Sequence, residues 1–260
     1  MENEKNKTKC LSPAELRQHQ MVCVKALEAF DRICKEKKIP FYLLGGSVLG
    51  GVRHKGFIPW DDDIDVAILN CDRDALEQAL CEELGDGFEF VSERTSEKYP
   101  RLHGKILYNK RGCIDIFPLA RIFDNDLLAS LQWALHKLLM KVFYKRIGYS
   151  VEDRNFVFRM IANLLAKFLD RKTILNLIEK NYGLCKKSNR WINFNSIYSM
   201  KTEMFHSEDV IDKEYVVFEK KKYRTFAHAK DYLKRAYGNY RKLPPKEKRC
   251  CKHLELFEDL

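Results

Sequence analysis

The chain has 260 residues, 45% of them hydrophobic, and 47 lysines and arginines stand against 37 aspartates and glutamates, a net charge of +10. That length supports one core or two closely packed ones, and the excess charge, spread along the chain, favours phosphate-bearing substrates, anionic lipid or nucleic acid. Nine cysteines without a CxxC pair argue against a secreted disulfide framework or a structural zinc site. The polar start MENEKNKTKC lacks a signal-peptide core and no apolar run is long enough to span a bilayer, so a cytoplasmic protein is expected.

Ser12-Pro13-Ala14-Glu15 is a capping-box pattern with proline at the first helical position. It predicts a helix to about Lys37, with Leu16, Cys23, Leu27, Phe30 and Cys34 on the inner face and His19 on the surface. Phe41 to Leu44, short and aromatic, reads as a buried strand that ends at Gly45-Gly46-Ser47. Paired glycines permit a sharp turn and close approach to a ligand, and Ser47 suits the N-cap of a helix from Val48 to Arg53. Such a helix start can hold phosphate; it can equally be an ordinary strand-to-helix turn.

Trp60-Asp61-Asp62-Asp63-Ile64-Asp65-Val66 follows. In a strand, Asp63 and Asp65 share one face while Ile64 and Val66 enter the core. Carboxylates so close repel unless a cation lies between them, and all-oxygen ligation suits Mg²⁺ or Mn²⁺. Asp61 and Asp62 precede the strand as turn residues or outer partners. Next come a helix from Arg73 to Leu84, a break at Gly85-Asp86-Gly87, a strand from Phe88 to Val91, and strands Lys105–Tyr108 and Cys113–Phe117 joined by a turn. Asp115, between Ile114 and Ile116, is costly to bury without a partner. It is a third metal ligand, a base for an acceptor hydroxyl, or a satisfied edge-strand carboxylate.

From Asp126 to Asp170 the pattern is helical. Leu127, Leu131, Leu135, Leu138 and Val142 form one stripe, interrupted by His136, Lys137 and Lys141, and a second segment runs from Phe156 to Leu169. Packing against the preceding sheet is expected. The rival is peripheral docking on an anionic membrane through the basic residues near Lys137 and Lys141. Trp191 and Phe194 fit a core or a stacking surface equally. Val216 to Phe226 reads as a hairpin, and Lys230 to Tyr237 as a helix stopped by Gly238. The order predicts an α/β (α+β) chain, with a sheet region over 1–125 and a helical region over 126–260, to which the resemblance given next assigns catalysis and substrate binding respectively.

Three ordered blocks resemble the LicD family of phosphocholine transferases, relatives of the fukutin-type transferases in the nucleotidyltransferase superfamily. They are Gly45-Gly46-Ser47 with Leu49 to Trp60 and Asp61 to Asp65; Ile114-Asp115-Ile116-Phe117-Pro118-Leu119; and Tyr232 to Gly238 with Leu243-Pro244-Pro245 and His253. The resemblance implies a nucleotidyltransferase-like mixed β-sheet core. It also implies metal-dependent transfer of a phosphoalcohol, phosphocholine first, from CDP-choline or another CDP-alcohol to a glycan acceptor, free or lipid-linked, of the lipopolysaccharide or teichoic acid kind. On that reading Asp63, Asp65 and Asp115 hold Mg²⁺ or Mn²⁺ and do the catalysis, while Gly45, Gly46, Ser47, Arg53, Lys55 and Trp60 face the donor. Arg53 and Lys55 are by default solvated cations, and Trp60 is either a platform for the choline head or a loop anchor, the anchor being favoured. Two departures, Phe226-Ala227-His228 where relatives often carry a proline and Asn239 where an aspartate follows Tyr-Gly, bear on substrate choice. The rival functions are a nucleotidyltransferase moving NMP from an NTP to a small molecule or RNA, and a catalytically silent polyanion-binding protein. No interleaved basic and aromatic module for reading bases supports nucleic acid as a partner.

Overall fold

Helix α1 (Pro13–Glu36) starts as its capping box requires. In this computed structural model, which describes residues 11–85, 87–149, 156–212, 214–251 and 257, the Glu15 N–H donates to Ser12 Oγ at 3.3 Å and the Ser12 N–H to Glu15 Oε2 at 2.8 Å. The N-terminal ten residues, Asp86 and His253 lie outside the described residues. The five expected inner residues of α1 are buried, and His19 and Gln20 are buried with them. His19 therefore corrects the surface expectation. It lies three residues after Leu16 and four before Cys23, on the same stripe.

Strand β1 (Phe41–Leu43) leads into α2 (Gly45–His54), then β2 (Ile64–Leu69), a 3₁₀ turn, α3 (Arg73–Glu83), β3 (Phe88–Val91), β4 (Gly104–Tyr108) and β5 (Arg111–Ile122). The sheet order here is β1-β2-β5-β4-β3. Antiparallel pairing sets Leu43 opposite Val66 and Lys105 opposite Asp115. Ile64 and Val66 are buried as the alternating pattern required, Ile68 continues that face, Ala67 is buried on the opposite one, and α1 packs against α3.

The chain divides into two compact units, 1–118 with 208–260 and 119–207. This differs from the boundary expected at residue 125. The C-terminal segment joins the first unit because its hairpin is apolar enough to pack there. After α8 (Ser207–Ile211), strands β8 (Glu214–Phe218) and β9 (Lys221–Thr225) pack on α2 and β1. Phe226 stacks on Tyr42 at 4.8 Å between ring centres, and α9 (Ala229–Tyr237) follows. A Cβ at Gly51 would meet Val216 Cγ2 at 2.9 Å, so the glycine sets how closely α2 approaches β8.

The second unit holds α4 (Asp126–Arg146), α5 (Phe156–Phe168), α6 (Arg171–Tyr182), β6 (Arg190–Asn193), α7 (Met200–Glu203) and β7 (Met204–His206); β6 pairs with residues 119–122 of β5 and with β7. Its core is partly polar. His136 Nε2 donates to Asn195 Oδ1 at 3.1 Å and accepts at Nδ1 from Asn181 at 3.3 Å. Gln132 Nε2 donates to the Asn181 carbonyl at 2.9 Å, which offsets the cost of burying these groups.

This network fixes which face of α4 is inside. Ala129, Gln132, His136, Leu139, Val142 and Phe143 are buried, whereas Leu127, Leu131 and Leu135 of the expected inner stripe are exposed, a correction to the apolar-stripe reading. Lys137 is not a surface cation either. Its Nζ donates to the carbonyls of Phe194 at 3.0 Å and Ser196 at 2.6 Å and sits 4.3 Å above the Trp133 ring. Phe194 stacks on His136, and Trp191 lies under the Arg121 guanidinium, so both aromatics resolve as core.

Candidate active site

The three carboxylates singled out by the sequence come together. Oxygens of Asp63, Asp65 and Asp115 lie within 4.8 Å of one another. Asp63 immediately precedes β2, Asp65 is its second residue, and Asp115 arrives from the neighbouring strand β5. Asp61, Asp62 and Asp63 also converge within the same distance of each other.

The electrostatics of the three differ. Burial, then mutual repulsion with Asp115 and Asp61, pushes the Asp65 carboxyl well up; burial, Asp65 and Asp115 do the same to Asp63. For Asp115, burial acts upward but is outweighed by the Lys105 ammonium at 2.6 Å and by His103 Nε2 at 3.3 Å. The carboxyl is held below the usual carboxylate range. Asp61 is pushed up to about 7 by burial and by Asp62. Two half-buried carboxylates that repel each other, beside a third that is buried and held low by its cationic neighbours, form an all-oxygen donor set. It fits a hard divalent cation and suits neither zinc nor copper.

The glycine turn acts on this cluster directly. Gly45 has φ +53°, and a Cβ there would stand 2.7 Å from Asp65 Oδ2; only glycine allows that backbone so near the carboxylate. A Cβ at Gly46 would be 2.8 Å from Asp61 Oδ2. The Gly46 N–H donates to Asp65 Oδ2 at 3.3 Å, placing a carboxylate at the N-terminus of α2, where the helix dipole favours negative charge. The Gly45 N–H donates to Tyr232 Oη at 3.2 Å.

Helix α2 begins at Gly45, with Leu44 as its N-cap residue, so Ser47 is not the cap that the sequence suggested. Its hydroxyl instead accepts the Asp65 N–H at 2.8 Å and pins β2 to the helix. The helix thus starts three residues earlier than a cap at Ser47 would place it, and Gly45, at positive φ, makes the turn out of β1.

Among the other donor candidates, the Arg53 guanidinium donates to the Tyr240 carbonyl at 2.9 Å and to His54 Nε2 at 2.8 Å. Lys55, at φ +63°, ends α2. Trp60 lies 5.8 Å from the Arg249 guanidinium and 6.5 Å from the His54 ring, contacts that suit a loop anchor.

Sequence reasoning missed the groups that hold the acidic loop. From α1, His19 Nε2 donates to the Asp62 carbonyl at 2.9 Å, the Cys23 thiol to the same oxygen at 3.6 Å, and Gln20 Nε2 to the Asp61 carbonyl at 2.8 Å. Burial lowers the His19 pKa, so the ring is a neutral donor. Glu219 clamps the loop after α2. It accepts two hydrogen bonds from Arg17, at 2.9 and 2.7 Å, and one from the Phe57 N–H at 3.3 Å. Lys105 and His103 were missed as well. The signal for Lys105 lay in the register of the β4–β5 hairpin, where it stands opposite Asp115.

Comparison with known proteins gives three relations. Residues 38–163 match the family described as LicD/FKTN/FKRP, nucleotidyltransferase domain. The chain is 29% identical over 266 aligned positions to the lipopolysaccharide cholinephosphotransferase LicD of Haemophilus influenzae, covering 92% of this chain and 96% of that protein. It is also 30% identical over 115 positions to an uncharacterised protein of Rickettsia prowazekii, covering 41% of this chain and 39% of that one.

Proposed function

The chain belongs to the LicD family through residues 38–163, and on that premise we propose that it is a phosphotransferase moving phosphocholine from CDP-choline to a hydroxyl of lipopolysaccharide or a related cell-surface glycan. The observation that carries the reading is the convergence of Asp63, Asp65 and Asp115 beside the glycine start of α2. The nearly full-length match to a cholinephosphotransferase favours choline over other alcohols.

Asp63, Asp65 and Asp115 would hold a divalent cation, Mg²⁺ or Mn²⁺. When bound, it supplies charge neutralisation for the donor pyrophosphate and the departing CMP. Lys105 and His103 keep Asp115 ionised, which suits a ligand better than a base. Ser47 and Gly46 fix Asp65 through its backbone N–H and its carboxylate, so the ligand face of β2 is organised before substrate arrives. Gly45 and Gly46 keep side-chain bulk out of the space over the carboxylates, where the donor phosphates must approach. Arg53 and Lys55 add positive charge at the far end of α2, and Trp60 acts by holding the loop. No disulfide joins the described cysteines, which suits a reducing, cytoplasmic setting.

The test is to incubate the protein with Mg²⁺, CDP-choline and lipopolysaccharide, and to measure CMP release together with choline incorporated into the glycan. Acceptor-dependent CMP is expected. Pyrophosphate release from an NTP, with no CMP from any CDP-alcohol, overturns the proposal in favour of nucleotidyl transfer.

A further inference from the structure

Helix α5 packs with its small side inward. Its buried residues are Ala162 and Ala166. At 100° per residue, Phe156, Val157, Met160, Ile161, Leu164 and Phe168 fall on one face about 140° wide, with Lys167 near the Phe156 edge of it. All six are exposed, from 41% to 78%. Four leucines of α4, Leu127, Leu128, Leu131 and Leu135, are exposed as well. Ten of the sixteen exposed large apolar side chains among the described residues thus belong to these two helices. Single exposed leucines need no explanation, but a whole apolar helix face does.

The charges around the face indicate what covers it. Helix α5 carries Arg159 and Lys167 and no acidic residue, α4 ends in Lys141, Lys145 and Arg146, and α6 opens on Arg171-Lys172. Among the described residues, the acid that follows α5, Asp170, caps α6 by accepting the Thr173 N–H at 2.7 Å. A second copy of the chain would bring like charges together. The segments MENEKNKTKC and SVEDRN are too polar in composition to line the face. An apolar helix face with a basic rim and few acids is the pattern of a helix lying in the surface of an anionic bilayer.

We propose that α5 docks the protein on anionic membrane, its apolar face at the acyl boundary and Arg159 and Lys167 at the level of the lipid phosphates. The contact is made by α5 and not by Lys137, whose ammonium is already bound to two carbonyls. The inference stands apart from the transfer reaction, because binding is read without catalysis.

The experiment is flotation of the full chain with vesicles of phosphatidylcholine alone or with about 30% phosphatidylglycerol, at ~0.1 M and ~0.5 M salt. Wild type is expected to float with the anionic vesicles, less so at the higher salt. Leu164→Glu with Phe168→Glu should lower the partition coefficient at least about tenfold with an unchanged melting temperature. Met160→Ser with Leu164→Ser, which removes apolar area without adding charge, should act in the same direction, and Arg159→Ala with Lys167→Ala should weaken binding to anionic vesicles only. Three results would each overturn the proposal: wild type left at the bottom of the gradient with anionic vesicles at ~0.1 M salt, a double-glutamate variant that floats like wild type, or a dimer in solution that this variant splits while no form floats.

Discussion

Asp63 and Asp65 serve the site at the expense of the fold. Both are half-buried against like charge, so removing one charge relieves repulsion in the cation-free protein while, on the proposed reading, deleting a cation ligand. Asp63→Asn and Asp65→Asn should each lower turnover at least about a thousandfold, several kcal/mol of transition-state stabilisation, and leave the metal-free melting temperature equal or higher. Near wild-type CMP release at saturating Mg²⁺ would refute the ligand assignment.

Lys105 behaves oppositely, because it is the buried counter-charge of Asp115. Lys105→Met strands a buried carboxylate and should cost about 3–5 kcal/mol. Adding Asp115→Asn should recover part of that loss, a coupling that a double-mutant cycle by chemical denaturation measures. Of these residues, the aspartates were legible in the sequence, since a period-two pattern places alternate carboxylates on one face without any knowledge of partners. Lys105 was not, because a shift between Ile106 and Leu107 breaks the simple count across the hairpin. His19 and Gln20 were not either: the spacing puts His19 on the surface of α1 and gives Gln20 no signal of its own. Their partners are carbonyls of a distant loop, which no local pattern predicts.

At the scale of elements, most helices and strands of the first unit were legible because one face of each is apolar and their ends are marked by caps or glycines. Helix α4 was not. Its leucine stripe is the obvious inner face, yet the buried face carries His136 and Gln132, because residues 181–195 supply matching donors and acceptors that the sequence left unplaced. This choice has a pH consequence. Burial holds His136 down at about 3 against its ordinary 6.5, so the unfolded chain takes up a proton in acid that the folded chain refuses. Its contribution is fully present above about pH 6.5 and is lost as pH falls toward 3, amounting to about 2 kcal/mol between pH 7 and pH 5. His136→Gln should be less stable than wild type at pH 7 and should lose less of its stability on going to pH 5. Denaturant midpoints for both proteins at the two pH values check this, and parallel pH slopes would contradict it.

On the scale of the whole molecule, the net charge of +10 suits phosphate-bearing or other anionic partners, but it assigns nothing to either unit. The placement of the carboxylates does. Asp63, Asp65 and Asp115 all belong to the unit formed by 1–118 and 208–260, whereas His136 and its partners belong to 119–207. A cation that binds only the folded first unit stabilises it by RT ln(1 + [L]/Kd), about 2.7 kcal/mol at a hundredfold excess over Kd. At roughly 2–4 °C per kcal/mol for a chain of this size, the midpoint should rise by about 5–11 °C. Titration with Mg²⁺ or Mn²⁺ during thermal melting should show that rise, growing with the logarithm of cation concentration. Asp63→Asn and Asp65→Asn should abolish it, although each begins from an equal or higher midpoint. His136→Gln should lower the starting midpoint and keep the full shift, because it leaves the carboxylates untouched. A wild type that does not respond to either cation, or a shift that survives in both aspartate variants, would place the cation elsewhere and remove the chemical basis of the proposed transfer.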